Sequence, residues 1–503
     1  MFENQPKGLW TLALSNMGER FGYYTMLAVF ILFLQENFNW DAKTAGLVYS
    51  SFLMLVYFLP LFGGMLADKF GYSKMVTIGI FIMFAGYALL SIPMGANVVA
   101  IVVMAAALVL VSFGTGLFKG NLQVMVGDLY NDPQYAANRD SGFQLFYMAI
   151  NVGALFAPTA AIRIMGWAQA SLGVSVADSY HFAFAVACAS LIISIAIYYL
   201  GMGTFRQVLT ASKASAADGK KQEGETLSPA ETKERIICLG LVFAVVVFFW
   251  MAFHQNGATL TYFARDYVDR TATGLTAMEF DVTNLLLCIV IIYGLFGLFQ
   301  SAKAKAKTIW GLVIVACAVV LGYKYYNVTE IGIEAPIFQQ FNPCFVVALT
   351  PISIALFGAL AKKGKEPKAP VKIGLGMLVA AVAYGIMTLG CLGLPAPDAA
   401  HPHYMETAVN PNMLVSVYLI LTFAELLLSP IGISFVTKVA PPKYKGMMMG
   451  GWFVSTAVGN FLVSIPTLLW GHDLYVVWGT LLGICLLAAA FIFAIVKRLN
   501  KVA

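Results

Sequence analysis

Charge is scarce in this sequence. Only 11% of its 503 residues are Asp, Glu, Lys or Arg and 60% are hydrophobic, whereas a soluble domain carries about a quarter charged residues. Too few polar residues remain to cover a water-facing surface, so an ordinary soluble globular protein is excluded. The chain also has no Gly-x-x-x-x-Gly-Lys-Ser/Thr loop to cradle a phosphate, which leaves ATP-driven action without a motif. It has no His-Glu-x-x-His and no comparable nucleophile and base pairing, so an intramembrane enzyme has nothing to act with. A sensor would carry a soluble signalling domain, and none is evident. The seven cysteines (188, 238, 288, 317, 344, 391 and 485) stand singly, with no Cys-x-x-Cys; they read as reduced packing residues, because a buried free thiol behaves as a small hydrophobe.

Long apolar runs fill the chain instead. Runs of the length needed for a helix to cross a hydrocarbon core of about 30 Å occur near 9–35, 43–67, 73–94, 97–128, 140–165, 180–202, 236–264, 281–300, 308–326, 335–361, 370–394, 411–438, 446–470 and 474–496. Helices are expected there because they satisfy their own backbone hydrogen bonds in lipid. The protein reads as an all-α integral membrane protein with about fourteen spans. The amino end, MFENQPKGLW, lacks the basic stretch, short apolar core and cleavage site of a secretory leader, so the first helix is expected to stay.

The net charge of +6 points to orientation rather than to nucleic acid. Lys69 and Lys74, Arg139, the Arg206 to Arg235 block, Lys303 to Lys307, Lys362 to Lys368, Lys438 to Lys445 and the Lys497 to Lys501 tail fall in alternate loops. By the positive-inside rule those loops and both termini are cytoplasmic, in a multi-pass protein of the cell (inner) membrane. The segment 204–235 is polar and small-residue rich, as expected of a flexible linker. It divides six spans (1–203) from eight (236–503), the second group containing an extra hairpin at 281–326 with little intramembrane charge. Two six-helix bundles plus a peripheral hairpin is the expected architecture, with a midplane site at the interface of the halves.

Several motifs carry a resemblance. GGMLADKFGYSK, Gly63 to Lys74, resembles a loop of the major facilitator superfamily; Gly64 and Gly71 would allow close packing and a tight turn, and Asp68 could accept a hydrogen bond from a helix end or basic residue. NMGERFGYY, Asn16 to Tyr24, resembles the first-helix motif Glu-x-x-Glu-Arg-Phe-x-Tyr-Tyr of the proton-dependent oligopeptide transporter (POT/PTR) family. FGTGLFKGNLQVMVGDLY, FYMAINVGAL, FFWMAFHQNGATL, FQQFNPCFVVALTPI and AELLLSPIGISFVTKVAP are similar to its later helices, in order. The resemblance implies the major facilitator fold.

A charge at the bilayer centre costs about 2.5–3.5 kcal/mol on insertion scales, so Glu19, Arg20, Lys119 and Glu425 call for a reason to be in spans. One reason is a wet cavity in which Arg20 and Lys119 take a carboxylate and Glu425 takes an ammonium; the other is a structural network joining the helices that carry Glu19, Arg20 and Lys119. The resemblance assigns the same binding roles and implies Asn151 and Asn342 as hydrogen-bond partners, Tyr23, Tyr24 and Tyr57 as aromatic walls and Trp250 as a pocket floor, although each aromatic alone reads equally as packing. Glu19, His254 and Glu425 are the intramembrane groups able to titrate for proton coupling. Three positions depart from the family: Asn16 replaces a Glu and cannot titrate, Leu27 stands where an Arg is expected, and His254 where an acidic partner of that Arg is expected. Losing both members together avoids a lone buried charge; His254 then reads either as a new titrating group or as a neutral hydrogen-bonded wall. The tripeptide His401 to His403 has no third ligand nearby and reads as loop.

The function expected is proton-coupled import of di- and tripeptides by alternating access, through a monomer needing no cofactor beyond the proton and no nucleic-acid partner. The alternative is a facilitator, or a carrier of another small anion or zwitterion, with altered or absent coupling.

Overall fold

The computed structural model describes residues 4–206, 208–209, 227–398 and 402–502. Fourteen helical spans among them are long and apolar enough to cross a membrane, one for each expected run. They are α1 (Lys7–Phe38), α2 (Ala42–Phe70), α3 (Tyr72–Leu90), α4 (Val98–Asn131), α5 (Ser141–Leu172), α6 (Val176–Leu200), α7 (Pro229–Asp266), α8 (Val282–Gln300), α9 (Ala304–Tyr326), α10 (Ala335–Lys362), α11 (Ala369–Gly390), α12 (Pro411–Val439), α13 (Gly446–Leu468) and α14 (Leu474–Val502). Apolar side chains such as Val102, Ile193, Leu312 and Val319 are exposed on these helices, an arrangement that lipid permits and water does not.

Local chemistry sets the ends and breaks. Asp41 caps α2 by accepting from the Thr44 amide at 2.9 Å; hydrogen bonds from the Thr44 hydroxyl first, and then from its amide, hold the Asp41 carboxyl below the ordinary value. Ser228 and Glu231 form a capping box at the start of α7, so the helix begins inside the stretch expected to be linker; residues 207 and 210–226 of that stretch lie outside the described residues. Pro60 interrupts α2 after Leu59, since proline cannot donate into the preceding turn.

The chain divides into two compact units, one of Met1–His254, Ile433–Leu468 and Ile495–Ala503, the other of Gln255–Gly432 and Leu469–Ala494. In the first, α1 packs on α5 and α6, α3 on α4, and α13 on both α2 and α7. A Cβ on Gly63 would lie 2.1 Å from the Gly116 carbonyl oxygen, whereas Gly64 faces open space. Gly63 is therefore the residue that permits the close approach of α2 to α4, not Gly64. Gly71 has φ +94° at the turn into α3, where glycine carries no Cβ penalty. Asp68 accepts from the Tyr72 hydroxyl at 2.5 Å.

In the second unit, Trp478 is fully buried among Phe263, Tyr384 and Trp470. The hairpin α8–α9 sits at its margin: Cys317 alone in α9 is buried, and Cys288 in α8 is exposed. A two-residue antiparallel ladder joins Thr271–Ala272 (β1) to Ile331–Gly332 (β2). Lys324 reaches Asp281 at 2.6 Å; partial burial works to raise the Asp281 carboxyl, but the bonds from Lys324 and Thr283 prevail and hold it below the ordinary value.

Candidate functional site

Two groups of the expected site residues assemble in the first unit. On α1, Glu19 is fully buried and Arg20 nearly so. Side chains of consecutive helical residues diverge by about 100°, yet these two curl together: Arg20 Nε donates to Glu19 Oε2 at 2.5 Å and an Arg20 terminal nitrogen donates to Oε1 at 2.6 Å. The fork geometry is bidentate, the strong form of the guanidinium–carboxylate contact. Arg20 also lies over the Tyr23 ring at 4.6 Å, and Tyr23 meets Tyr24 edge-on at 5.2 Å. The cation proposed to take a substrate carboxylate is thus held by a neighbouring carboxylate.

Lys119 on α4 is different. Its ammonium lies over the Tyr57 ring at 4.4 Å, a cation–π contact, within electrostatic range of both Arg20 and Glu19. The Tyr57 ring is 5.9 Å from His254, and His254 stacks on Trp250 at 5.0 Å and 18°. Tyr57, Lys119, Trp250 and His254 therefore form one continuous set, supplied by α2, α4 and α7. Asn151 on α5 is buried and donates to the Tyr147 carbonyl one turn back, at 3.0 Å. Leu27 is a buried apolar residue, and His254 meets an amide rather than an ion: its Nδ1 lies 2.5 Å from Asn460 Oδ1 on α13. His401 lies outside the described residues, and His403 bonds the Ala396 carbonyl. No group of three His, Cys, Asp or Glu able to hold a metal occurs among the described residues.

The second unit joins the remaining two. Asn342, near the start of α10, donates through Nδ2 to Glu425 Oε2 at 3.0 Å and to Thr422 Oγ1 at 3.0 Å. Glu425 is buried. Its partner is a neutral amide, and among the described residues no cation forms an ion pair with this carboxylate, which suits a site waiting for a positive ligand.

Thr422 and Asn460 were not singled out from the sequence. Thr422 precedes Glu425 by one helical turn and so shares its face, a spacing that could have marked it. Asn460 carries no such signal, because its partner His254 is 206 residues away in sequence.

The POT family profile matches residues 73–222 and 322–470, more than half of the chain. An uncharacterized transporter of Bacillus subtilis (strain 168), YclF, is 30% identical over 91% of this chain and 87% of its own length. A di-/tripeptide transporter of Lactococcus lactis subsp. lactis (strain IL1403) is 27% identical over 99% of this chain and 96% of its own. Among solved structures, a mutant of the peptide transporter POT in complex with alafosfalin superposes with a TM-score of 0.72 at 23% identity, over 100% of this chain and 96% of that one; the likeness carries the fold.

Proposed function

The chain belongs to the POT family, and on that premise we propose that it imports di- and tripeptides by alternating access, driven by an inward proton gradient. The protein is a multi-pass membrane transporter with the major facilitator fold and not an enzyme. It acts as a monomer in the cell (inner) membrane with both termini cytoplasmic, binds no nucleic acid, and uses no cofactor other than the coupling proton.

The observation that carries this reading is the buried bidentate pair between Glu19 and Arg20, with the ammonium of Lys119, which no carboxylate pairs among the described residues, in its electrostatic range. While Glu19 is ionised it neutralises Arg20. A proton arriving at Glu19 removes that partner and leaves Arg20 and Lys119 as two cations able to take a peptide carboxylate. Loss of the proton to the far side restores the pair and expels the carboxylate. In the other unit Glu425, oriented by Asn342 and Thr422, supplies the acceptor that a peptide ammonium needs. Tyr23, Tyr24, Tyr57 and Trp250 supply walls, and Asn151 a further polar contact. Because backbone and termini are common to all short peptides, such recognition tolerates many side chains.

This is an atypical member in its coupling strip. Asn16 stands where the family motif has its first Glu, so the titrating role falls on Glu19, His254 and Glu425. The test is uptake of a labelled dipeptide into proteoliposomes under an imposed proton gradient. Uptake that ignores the gradient would remove the coupling; absence of both uptake and competition would remove the peptide.

A further inference from the structure

We propose that Asn460 is the positioning residue that sets which nitrogen of His254 receives the coupling proton, making Nε2 the accepting atom. The inference rests on the coupling role proposed above for His254 and adds a residue to it. Asn460 is fully buried, and its Oδ1 lies 2.5 Å from His254 Nδ1. A carbonyl-type oxygen can only accept, so at this distance Nδ1 carries the hydrogen. In a neutral imidazole one nitrogen is donor and the other acceptor, and the bond made by one fixes the role of the other. With Nδ1–H committed to Asn460, the lone pair is on Nε2.

The ring is also locked in orientation. Trp250 stacks on one side at 5.0 Å, and the Tyr57 ring stands 5.9 Å away, so rotation about the ring axis would break both the stack and the amide bond. The ionisable groups facing His254 are Tyr57 from α2 and, beyond that ring, Lys119 from α4; α13 contributes no ionisable side chain between Gly446 and Leu468. Among the described residues no carboxylate therefore helps to hold a proton on His254, and the amide oxygen is the group that stabilises the Nδ1–H of the imidazolium. The other end of the amide, Asn460 Nδ2, is buried with no hydrogen-bond partner. A side chain kept for packing would be an apolar residue at lower cost, because a buried donor left unpaired is unfavourable. The single bond to His254 is what the amide provides.

The test has two readouts on the full-length protein. In nanodiscs, with histidine labelled by nitrogen-15 and the His254 signal identified by its loss in His254→Gln, nitrogen chemical shifts at alkaline pH should report Nδ1–H and bare Nε2. Finding Nε2–H instead would overturn the proposal, since the amide would then be turned to donate. In proteoliposomes, the midpoint of the pH dependence of dipeptide uptake should fall by about one pH unit in Asn460→Leu and rise in Asn460→Asp, whose carboxylate keeps the acceptor and adds charge. Equal midpoints in all three proteins would also overturn it. Should Asn460→Leu not fold, Asn460→Asp decides both readouts. Uptake by the wild type that is independent of pH would defeat the coupling role of His254, while the tautomer measurement still judges Asn460.

Discussion

Replacing Glu19 by Gln tests the pair on which coupling is argued to depend. Both partners are essentially without solvent contact, and two bonds of 2.5 and 2.6 Å join them. Removing one partner of a buried ion pair costs about 3–5 kcal/mol, because the other charge is left uncompensated. Gln keeps one acceptor oxygen, and a single hydrogen bond to a buried donor returns about 1 kcal/mol, so a net loss of about 2–4 kcal/mol is expected. In detergent this appears as a thermal unfolding midpoint several degrees below wild type. The variant also leaves Arg20 permanently open to a carboxylate. A dipeptide at about a hundred times its dissociation constant stabilises a protein by about 2.7 kcal/mol, and it should bind the variant more tightly because no carboxylate has to be displaced. The ligand-induced rise in midpoint should therefore be larger in Glu19→Gln than in wild type at the same peptide concentration, while gradient-driven uptake is lost. An unchanged midpoint together with an unchanged ligand shift would mean that Glu19 does not hold Arg20 closed to a carboxylate.

Lys119→Ala removes a cation that has no carboxylate partner among the described bonds, so it should abolish driven uptake with little loss of thermal stability; normal uptake would return Lys119 to a packing role. Asn342→Ala takes away the amide that donates to both Thr422 and Glu425 and should raise the peptide concentration needed for half-maximal uptake by about tenfold, the effect of losing about 1.4 kcal/mol of orientation; an N-terminally blocked dipeptide should be insensitive to the change. The Asp281–Lys324 end of the hairpin should loosen in acid: the Asp281 carboxyl is held below its ordinary value, so its contribution is present above about pH 4 and is lost as pH falls through the folded-state value. Hydrogen exchange near Asp281 and Lys324 should rise there by a small factor, since both groups are about one-third exposed and such pairs are worth about 1 kcal/mol or less.

The spans were legible because their cause is one-dimensional: a helix in lipid needs a continuous apolar run of fixed length, and each run became a helix. The pairing of Glu19 with Arg20 and the coming together of Asn342 and Glu425 were also within reach, the first because burying two charges demands a partner, the second because both fell within family-like motifs. What could not be read was which residues meet across helices. Nothing in the sequence near His254 points to Asn460, and nothing separates Gly63 from Gly64, since the difference lies in which face of α2 meets the Gly116 carbonyl. The capping box at Ser228 moved the start of α7 into apparently polar linker, a reminder that helix ends are set by hydrogen bonds and not by hydropathy.

Whether a proton at Glu19 drives peptide import is decided by labelled dipeptide uptake into proteoliposomes, measured with and without an inward proton gradient in the wild type and in Glu19→Gln. The wild type should concentrate the dipeptide only when the gradient is imposed, and Glu19→Gln should be limited to exchange of peptide across the membrane. Equal uptake with and without the gradient, or concentrative uptake by Glu19→Gln, would contradict it.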